Sequence, residues 1–138
     1  MGVTIVDAGV IIAHLDAADA HHAGACDALA RSFSHEQDLV VPASALAECS
    51  VGAARRGDEA VEQLYRYLAE VPVSVAPLSP AVAATAASLR ARFGSRLRLP
   101  DALVVATSIV EGATELLTTD RRWPDREALG LSAELVVI

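Results

Sequence analysis

Four carboxylates stand where apolar segments of this chain end or begin. Asp7 follows Val3-Thr4-Ile5-Val6, Glu48 lies among Leu46, Ala47 and Cys49, Asp101 comes just before an apolar run to Val110, and Asp120 follows Leu116-Leu117-Thr118-Thr119. Brought to one place, such acids repel one another, and their pKa values rise until some are neutral or a cation arrives. Oxygen donors without a Cys/His set favour Mg²⁺ or Mn²⁺ over Zn²⁺, and Mg²⁺ takes only a few protein carboxylates, keeping waters and substrate phosphate for the rest of its shell. The chemistry such a centre supports is metal-assisted phosphodiester hydrolysis. Each acid also has a plainer explanation: Asp7 as a helix N-cap, Asp101 as a first-turn acid favoured by the helix dipole by about 0.3–1 kcal/mol, Asp120 as a turn residue, and Glu48 on a solvated helix face. It is their joint placement that points to chemistry.

Arginines accompany these acids. Arg55 and Arg56 follow Glu48, Arg96 and Arg98 precede Asp101, and Arg121 and Arg122 follow Asp120. Guanidinium forks match phosphate oxygens, so Arg98, Arg121 and Arg122 are candidate contacts to an RNA backbone; solvated surface charge is the alternative for any single pair. Ser44 precedes Glu48 by one helical turn. His14, His21, His22 and His35 have no ligand-like spacing with Cys26 and Cys49 and are read as loop or surface residues. The two cysteines are read as reduced thiols, Cys49 as core packing, and Trp123 as a packing anchor for the last turn.

The elements that must position these groups follow from patterning. Val3–Val6 reads as a strand handing over to a helix from Val10 to Leu15. A polar loop from Asp16 to His22 leads to an amphipathic helix ending near Ser34, with Ala25, Leu29 and Phe33 on its apolar side. Leu39–Val41 is a strand closed by Pro42. A helix from Ala43 to about Arg56 carries Glu48; Gly57 breaks it, and Asp58 is placed to cap a further helix to about Glu70, whose stripe is Val61, Leu64, Tyr65 and Leu68. Pro72–Leu78 is a third strand. Ser79-Pro80 starts an alanine-rich helix to Phe93, stopped by Gly94. Pro100 opens the buried central helix, Gly112 ends it, Leu116–Thr119 is a strand, and Glu134–Ile138 the last one. Alternating strands and helices predict a three-layer α/β/α sandwich around a central, mainly parallel sheet, in which strand C-termini and the following helix N-termini share one edge. Asp7, Asp101 and Asp120 fall on that edge, and Glu48 reaches it from one to two turns inside its helix.

The 138 residues make one domain, 1–138, large enough to bury a core unaided. No stretch approaches the roughly 18 uninterrupted apolar residues of a membrane span, and the N-terminus has no basic region before an apolar one, so the chain is expected to be cytoplasmic. All eleven basic residues are arginine, which excludes the P-loop and receiver or phosphatase sites that need a lysine. A net charge of −7 excludes a protein that coats nucleic acid by bulk charge, though not a nuclease with its negative charge gathered in a metal site.

At Ile5-Val6-Asp7, Glu48, Leu99-Pro100-Asp101-Ala102 and Leu117-Thr118-Thr119-Asp120 the sequence resembles the PIN-domain family, and within it the VapC toxins of toxin–antitoxin pairs. The resemblance spans essentially the whole chain. It implies a Mg²⁺- or Mn²⁺-dependent endoribonuclease acting on structured RNA such as tRNA or rRNA, homodimerisation, and neutralisation by a cognate antitoxin protein. It also implies that Asp7 and Asp101 are the principal metal ligands, that Glu48 and Asp120 complete the site directly or through water, and that Thr118 and Ser44 support it. Position 9 is glycine where similar proteins often have a small hydroxyl or amide side chain. Arg121, Arg122 and Trp123 stand before Asp125, where relatives often carry a further acid. These two departures favour the alternative, a catalytically weak PIN-like module that binds RNA or a protein.

Overall fold

The computed structural model describes residues 1–138, and its chain order is strand, two helices, strand, two helices, strand, then alternating helices and short strands. The strands are β1 (Gly2–Val6), β2 (Gln37–Pro42), β3 (Val73–Ala76), β4 (Glu115–Thr118) and β5 (Glu134–Val137). The helices are α1 (Ala8–Leu15), α2 (His22–Ser34), α3 (Ala43–Arg56), α4 (Asp58–Glu70), α5 (Pro80–Phe93), α6 (Leu99–Val110) and α7 (Arg126–Leu129), with a 3₁₀ turn at Gly94–Arg96. None is long and apolar enough to cross a membrane.

All five strands are parallel, in the order β3-β2-β1-β4-β5. The chain therefore works outward from β1 in one direction, through β2 and β3, before returning to the other side of β1 with β4. That reversal leaves a crevice at the C-terminal ends of β1 and β4, the place where open α/β sheets hold ligands. The central strands are buried on both faces, so they are apolar without alternation: Ile5, Val6, Leu39, Val41, Leu116 and Leu117 are all buried.

Helix boundaries follow from local chemistry. Ser79 Oγ accepts the Val82 N–H at 3.2 Å ahead of Pro80, and Asp125 Oδ1 accepts the Ala128 N–H at 2.8 Å. Gly57 has a φ of 110°, which an L side chain resists, and so separates α3 from α4 sharply. Asp58, expected as the cap of α4, is instead its first residue, joining Glu59 in the first turn where the dipole favours acids. α6 is buried from Val104 to Ser108, and its small side chains let it sit deep beneath the sheet edge.

Two expected apolar stripes are shifted. Phe33 is exposed and its neighbour Ser32 is buried, donating to Glu115 Oε1 at 2.9 Å. Tyr65 is exposed, and Leu64 is the one fully buried residue of α4. The third strand is shorter than Pro72–Leu78, and α7 and the 3₁₀ turn fall in segments read as irregular.

Candidate active site at the sheet edge

β1 ends by delivering Asp7 into the crevice. Its backbone N–H bonds to Leu117 O at 3.0 Å, tying the end of β1 to β4, and the residue as a whole is 7% exposed. Oδ1 accepts the Ala8 N–H at 2.8 Å, so Asp7 is the N-cap of α1; Oδ2 accepts the Thr118 hydroxyl at 2.8 Å. Capping and site placement are thus one geometry. The Thr118 hydroxyl, fully buried at the end of β4, in turn accepts the Asp120 N–H at 3.1 Å. A single hydroxyl therefore fixes Asp7 by its carboxylate and Asp120 by its backbone.

Asp101 enters from the first turn of α6, half-buried, and Glu48 from the second turn of α3, where it is exposed. Electrostatics records their proximity. Burial, assisted by the charges of Asp101 and Glu48, raises the Asp7 carboxyl to about 6 against the pull of its two hydrogen bonds. Burial and the Asp120 charge raise Asp101, opposed by the Trp123 indole and by Arg98 and Arg122. Burial and Asp101 raise Glu48, opposed by Arg98. Arg98, exposed at the start of α6, thus offsets three of the acids and leaves Asp7 without a cation.

Asp120 is different. Its carboxylate accepts three N–H groups of Arg122: the backbone at 2.8 Å and Nε at 3.1 Å on Oδ1, and Nη2 at 3.1 Å on Oδ2. The guanidinium holds its carboxyl below the usual range, and this is the chain's one ion pair. Arg122, a candidate phosphate contact, is therefore bound to an acid in this structure, while Arg98 and Arg121 are exposed beside the crevice. As arranged, no three carboxylate, imidazole or thiolate groups close around one point tightly enough to enclose an ion. Ser44 is half-buried one turn before Glu48.

Two clefts adjoin the acids. One, of about 330 Å³, is lined by Arg96, Arg98, Asp101, Asp120, Arg122 and Trp123 among others; the second, of about 400 Å³, by His21, Thr119, Asp120, Arg121 and Arg122. Trp123, expected only to anchor a turn, lines the first with an indole N–H that is buried and makes no hydrogen bond. Thr119 had no signal in the sequence beyond its neighbours. The histidines are less peripheral than expected: His14 Nδ1 meets the Tyr67 hydroxyl at 2.8 Å, and His22 Nδ1 donates to Ala13 O at 2.7 Å. Both are half-buried. No spacing rule links positions 14 and 67, since the contact depends on α4 folding back beside α1. Cys49 is buried, its thiol pushed up to about 12 chiefly by burial, which removes it as a nucleophile.

No curated protein matches the sequence. Among solved structures, VapC20 of Mycobacterium tuberculosis, described as a sarcin–ricin loop cleaving toxin, matches with a TM-score of 0.72 at 21% identity, over 95% of this chain and 98% of that one. VapBC2 of Rickettsia felis, solved bound to a fragment of its promoter DNA, matches at 0.73 and 14% identity, over 98% of each chain. VapBC-5 of Mycobacterium tuberculosis, a member of the VapBC family of toxin–antitoxin systems, matches at 0.64 and 22% identity over the whole of both chains. Identities at this level carry the fold, and all three agree on it. Sequence supplies the rest: the PIN domain family model matches residues 4–129, from within β1 to the end of α7, and the chain belongs to the PIN-domain family.

Proposed function

We propose that this protein is a divalent-metal-dependent endoribonuclease, the toxin of a type II toxin–antitoxin pair, restrained by a cognate antitoxin protein. The observation that carries the reading is Asp7: a buried carboxylate at the crevice where the sheet reverses, with the charges of Asp101 and Glu48 acting on it and no cation to offset them. A site that raises its own acid in this way is suited to a positive ligand. The oxygen-only donors fit Mg²⁺ or Mn²⁺, which need few protein ligands. Asp7 and Asp101 are the residues to hold it, with Glu48 acting directly or through water. When bound, the ion would supply Lewis acidity and charge neutralisation at a phosphodiester.

The chain's own residues do the rest. Thr118 holds Asp7 in one orientation, so its outward lone pairs keep a fixed direction. Arg98, facing Glu48, Asp101 and Asp120, is placed to meet a phosphate that approaches the acids, and in doing so lowers the repulsion a polyanion would meet there. With an overall charge of −7 the chain offers RNA no bulk attraction, which leaves local contacts such as the arginines at this edge to hold it. The antitoxin partner follows from family membership and from the VapBC systems whose fold this chain shares.

The test is incubation of the purified protein with tRNA and rRNA in Mg²⁺ or Mn²⁺, then with chelator, beside Asp101→Asn. Discrete cleavage that needs metal and disappears in the variant is the expected result. The second reading, a catalytically weak binding module, is favoured by the engagement of Asp120 with Arg122. Intact RNA together with metal binding unchanged by Asp101→Asn would establish that reading instead.

A further inference from the structure

Resting on the ribonuclease reading, we propose that the turn joining α5 to α6 is a phosphate-binding subsite, in which Arg92 and Arg96, held over the ring of Phe93, take the backbone of an RNA strand on its way to the acids. The charge distribution points there first. No Asp or Glu occurs between Glu70 and Asp101, yet Arg90, Arg92, Arg96 and Arg98 fall within nine residues, in a chain whose net charge is −7. Of these, Arg90 has a structural task. Its Nη1 donates to the carbonyls of Gly94 and Leu97, fixing a turn in which Gly94 takes a φ of 57°. Arg92 and Arg96 have a different setting. Their guanidinium carbons lie 5.1 and 5.4 Å from the centroid of the one Phe93 ring, and no carboxylate pairs with either, since the chain's single ion pair joins Arg122 to Asp120.

Two cations gathered at one ring repel each other, and the negative faces of the ring offset only part of that repulsion. An anion completes the arrangement. Stacking occupies the face of a guanidinium and leaves its in-plane N–H groups to meet phosphate oxygens. Phe93 is 6% exposed and belongs to the core, so the platform is anchored while both arginines are open to solvent. Location gives the anion its identity. Arg96 lines the cleft of about 330 Å³ together with Ser95, Arg98, Asp101 and Trp123, so the basic turn opens onto the acids themselves. A strand that sets one phosphate beside Arg98 at those acids carries its neighbouring phosphates over Arg96 and Arg92. Phosphate is also the anion with which Mg²⁺ or Mn²⁺ at such acids completes its shell, and this favours RNA over an acidic peptide as the ligand of the turn. Contacts of this kind add affinity and orientation without selecting a sequence.

The experiment titrates a fluorescein-labelled single-stranded RNA oligonucleotide with the full chain in chelator, over a range of salt. The variants are Arg92→Ala, Arg96→Ala, their double variant and Phe93→Leu, each checked for folding by circular dichroism. Arg31→Ala is the control, because it removes one charge from α2 at the opposite edge of the sheet, where β2, β4 and β5 begin. Arg92→Ala and Arg96→Ala are each expected to weaken binding about threefold and to lower the salt slope by about 0.7, one phosphate contact on a single strand; the double variant should lower it by about 1.4. Phe93→Leu keeps both charges but not the aromatic faces, so it should weaken binding about twofold with the slope unchanged. Arg31→Ala should bind like the wild type. Wild-type affinity and slope in the double variant overturn the subsite, as does a loss in Arg31→Ala equal to that in Arg96→Ala, which would mean that net charge alone is read. Phe93→Leu that binds like the wild type overturns the part given to the ring. Poly-L-glutamate is a second probe: if its binding, and not that of RNA, is lost in the double variant, the turn serves an acidic protein segment and the proposal fails. In all these cases metal-dependent cleavage by the wild type still upholds the ribonuclease reading. Wild-type protein that neither binds RNA nor cleaves it with Mn²⁺ overturns that reading and the subsite together.

Discussion

The Thr119 hydroxyl stands where a side chain on Gly9 would have to go: a Cβ at position 9 would overlap Oγ1, with Thr119 Cβ 3.5 Å away. One residue at the start of α1 and one just past β4 thus share a single space at the site edge. Gly9→Ala should gain about 0.5–1 kcal/mol of helix propensity and lose it again to the forced rotation of Thr119. Gly9→Ala combined with Thr119→Ala removes the conflict, so urea unfolding should show the double variant more stable than Gly9→Ala alone, with coupling of about 0.5–1 kcal/mol. Simple additivity in that cycle would show that the two positions do not compete.

Asp7 makes stability depend on pH in a defined window. Its folded pKa of about 6 lies above the ordinary 3.8, so the folded state holds a proton that the unfolded chain has released. The stability this contributes is fully present below about pH 3.8 and lost as pH rises through 6, in all about 3 kcal/mol by the 1.36 kcal/mol per pKa unit conversion. Asp7→Asn cannot ionise. The variant should therefore be more stable than the metal-free wild type at pH 8 by up to about that amount, with the gap closing towards pH 4. Chemical denaturation of both proteins across pH 4–8 in chelator checks this; a gap independent of pH would mean that the Asp7 charge is offset in the folded state. Saturating Mn²⁺ should reverse the order at pH 8 by stabilising only the wild type.

Thr118→Val keeps the shape of the side chain and removes the hydroxyl that joins Asp7 to Asp120. The buried Asp7 carboxylate and the half-buried Asp120 N–H each lose a hydrogen bond, and the cost should be about 1–3 kcal/mol. Because the Thr118 bond favours ionised Asp7, its loss should also move the acidic limb of the cleavage pH profile upward. Thr118→Ser should restore both. A variant with the full stability loss but an unshifted limb would limit Thr118 to a structural part.

Much of this architecture is legible in the residues. Continuous apolar strands, Ser79-Pro80 and Pro100 place the elements, and the rule that strand ends and helix starts share an edge in parallel sheets gathers Asp7, Asp101 and Asp120 without coordinates. Strand order is another matter, since it rests on long-range packing, and without β4 beside β1 there is no reason to join Thr118 to Asp7. The apolar stripe of α2 is misread for a related reason. Its rotation is set by Ser32 reaching Glu115, a polar contact that hydropathy scores against burial. The pairing of Asp120 with Arg122 is short in sequence but depends on the turn after β4, and a charged pair two residues apart is indistinguishable there from solvated surface.

Trp123 offers a last discriminating case, because its buried indole N–H has no hydrogen-bond partner within normal reach, yet it shares a cleft with Asp101 and lowers that carboxyl. An unpaired buried donor costs folding energy while its pull on ionised Asp101 returns part of it, so Trp123→Phe, which keeps the ring and drops the N–H, should change stability by less than about 1 kcal/mol. The site should register the change differently. The indole favours ionised Asp101, so without it the Asp101 carboxyl rises further above its ordinary value, and more of it is protonated under mildly acidic conditions. Mn²⁺ affinity of Trp123→Phe should then fall below wild type at pH 5.5 and converge with it at pH 8. Trp123→Ala, which also opens the cleft wall, should cost about 3 kcal/mol of stability. If Trp123→Phe instead bound Mn²⁺ like the wild type at both pH values, the indole N–H would have no part in tuning Asp101, and the ring would serve only to pack the turn against α6.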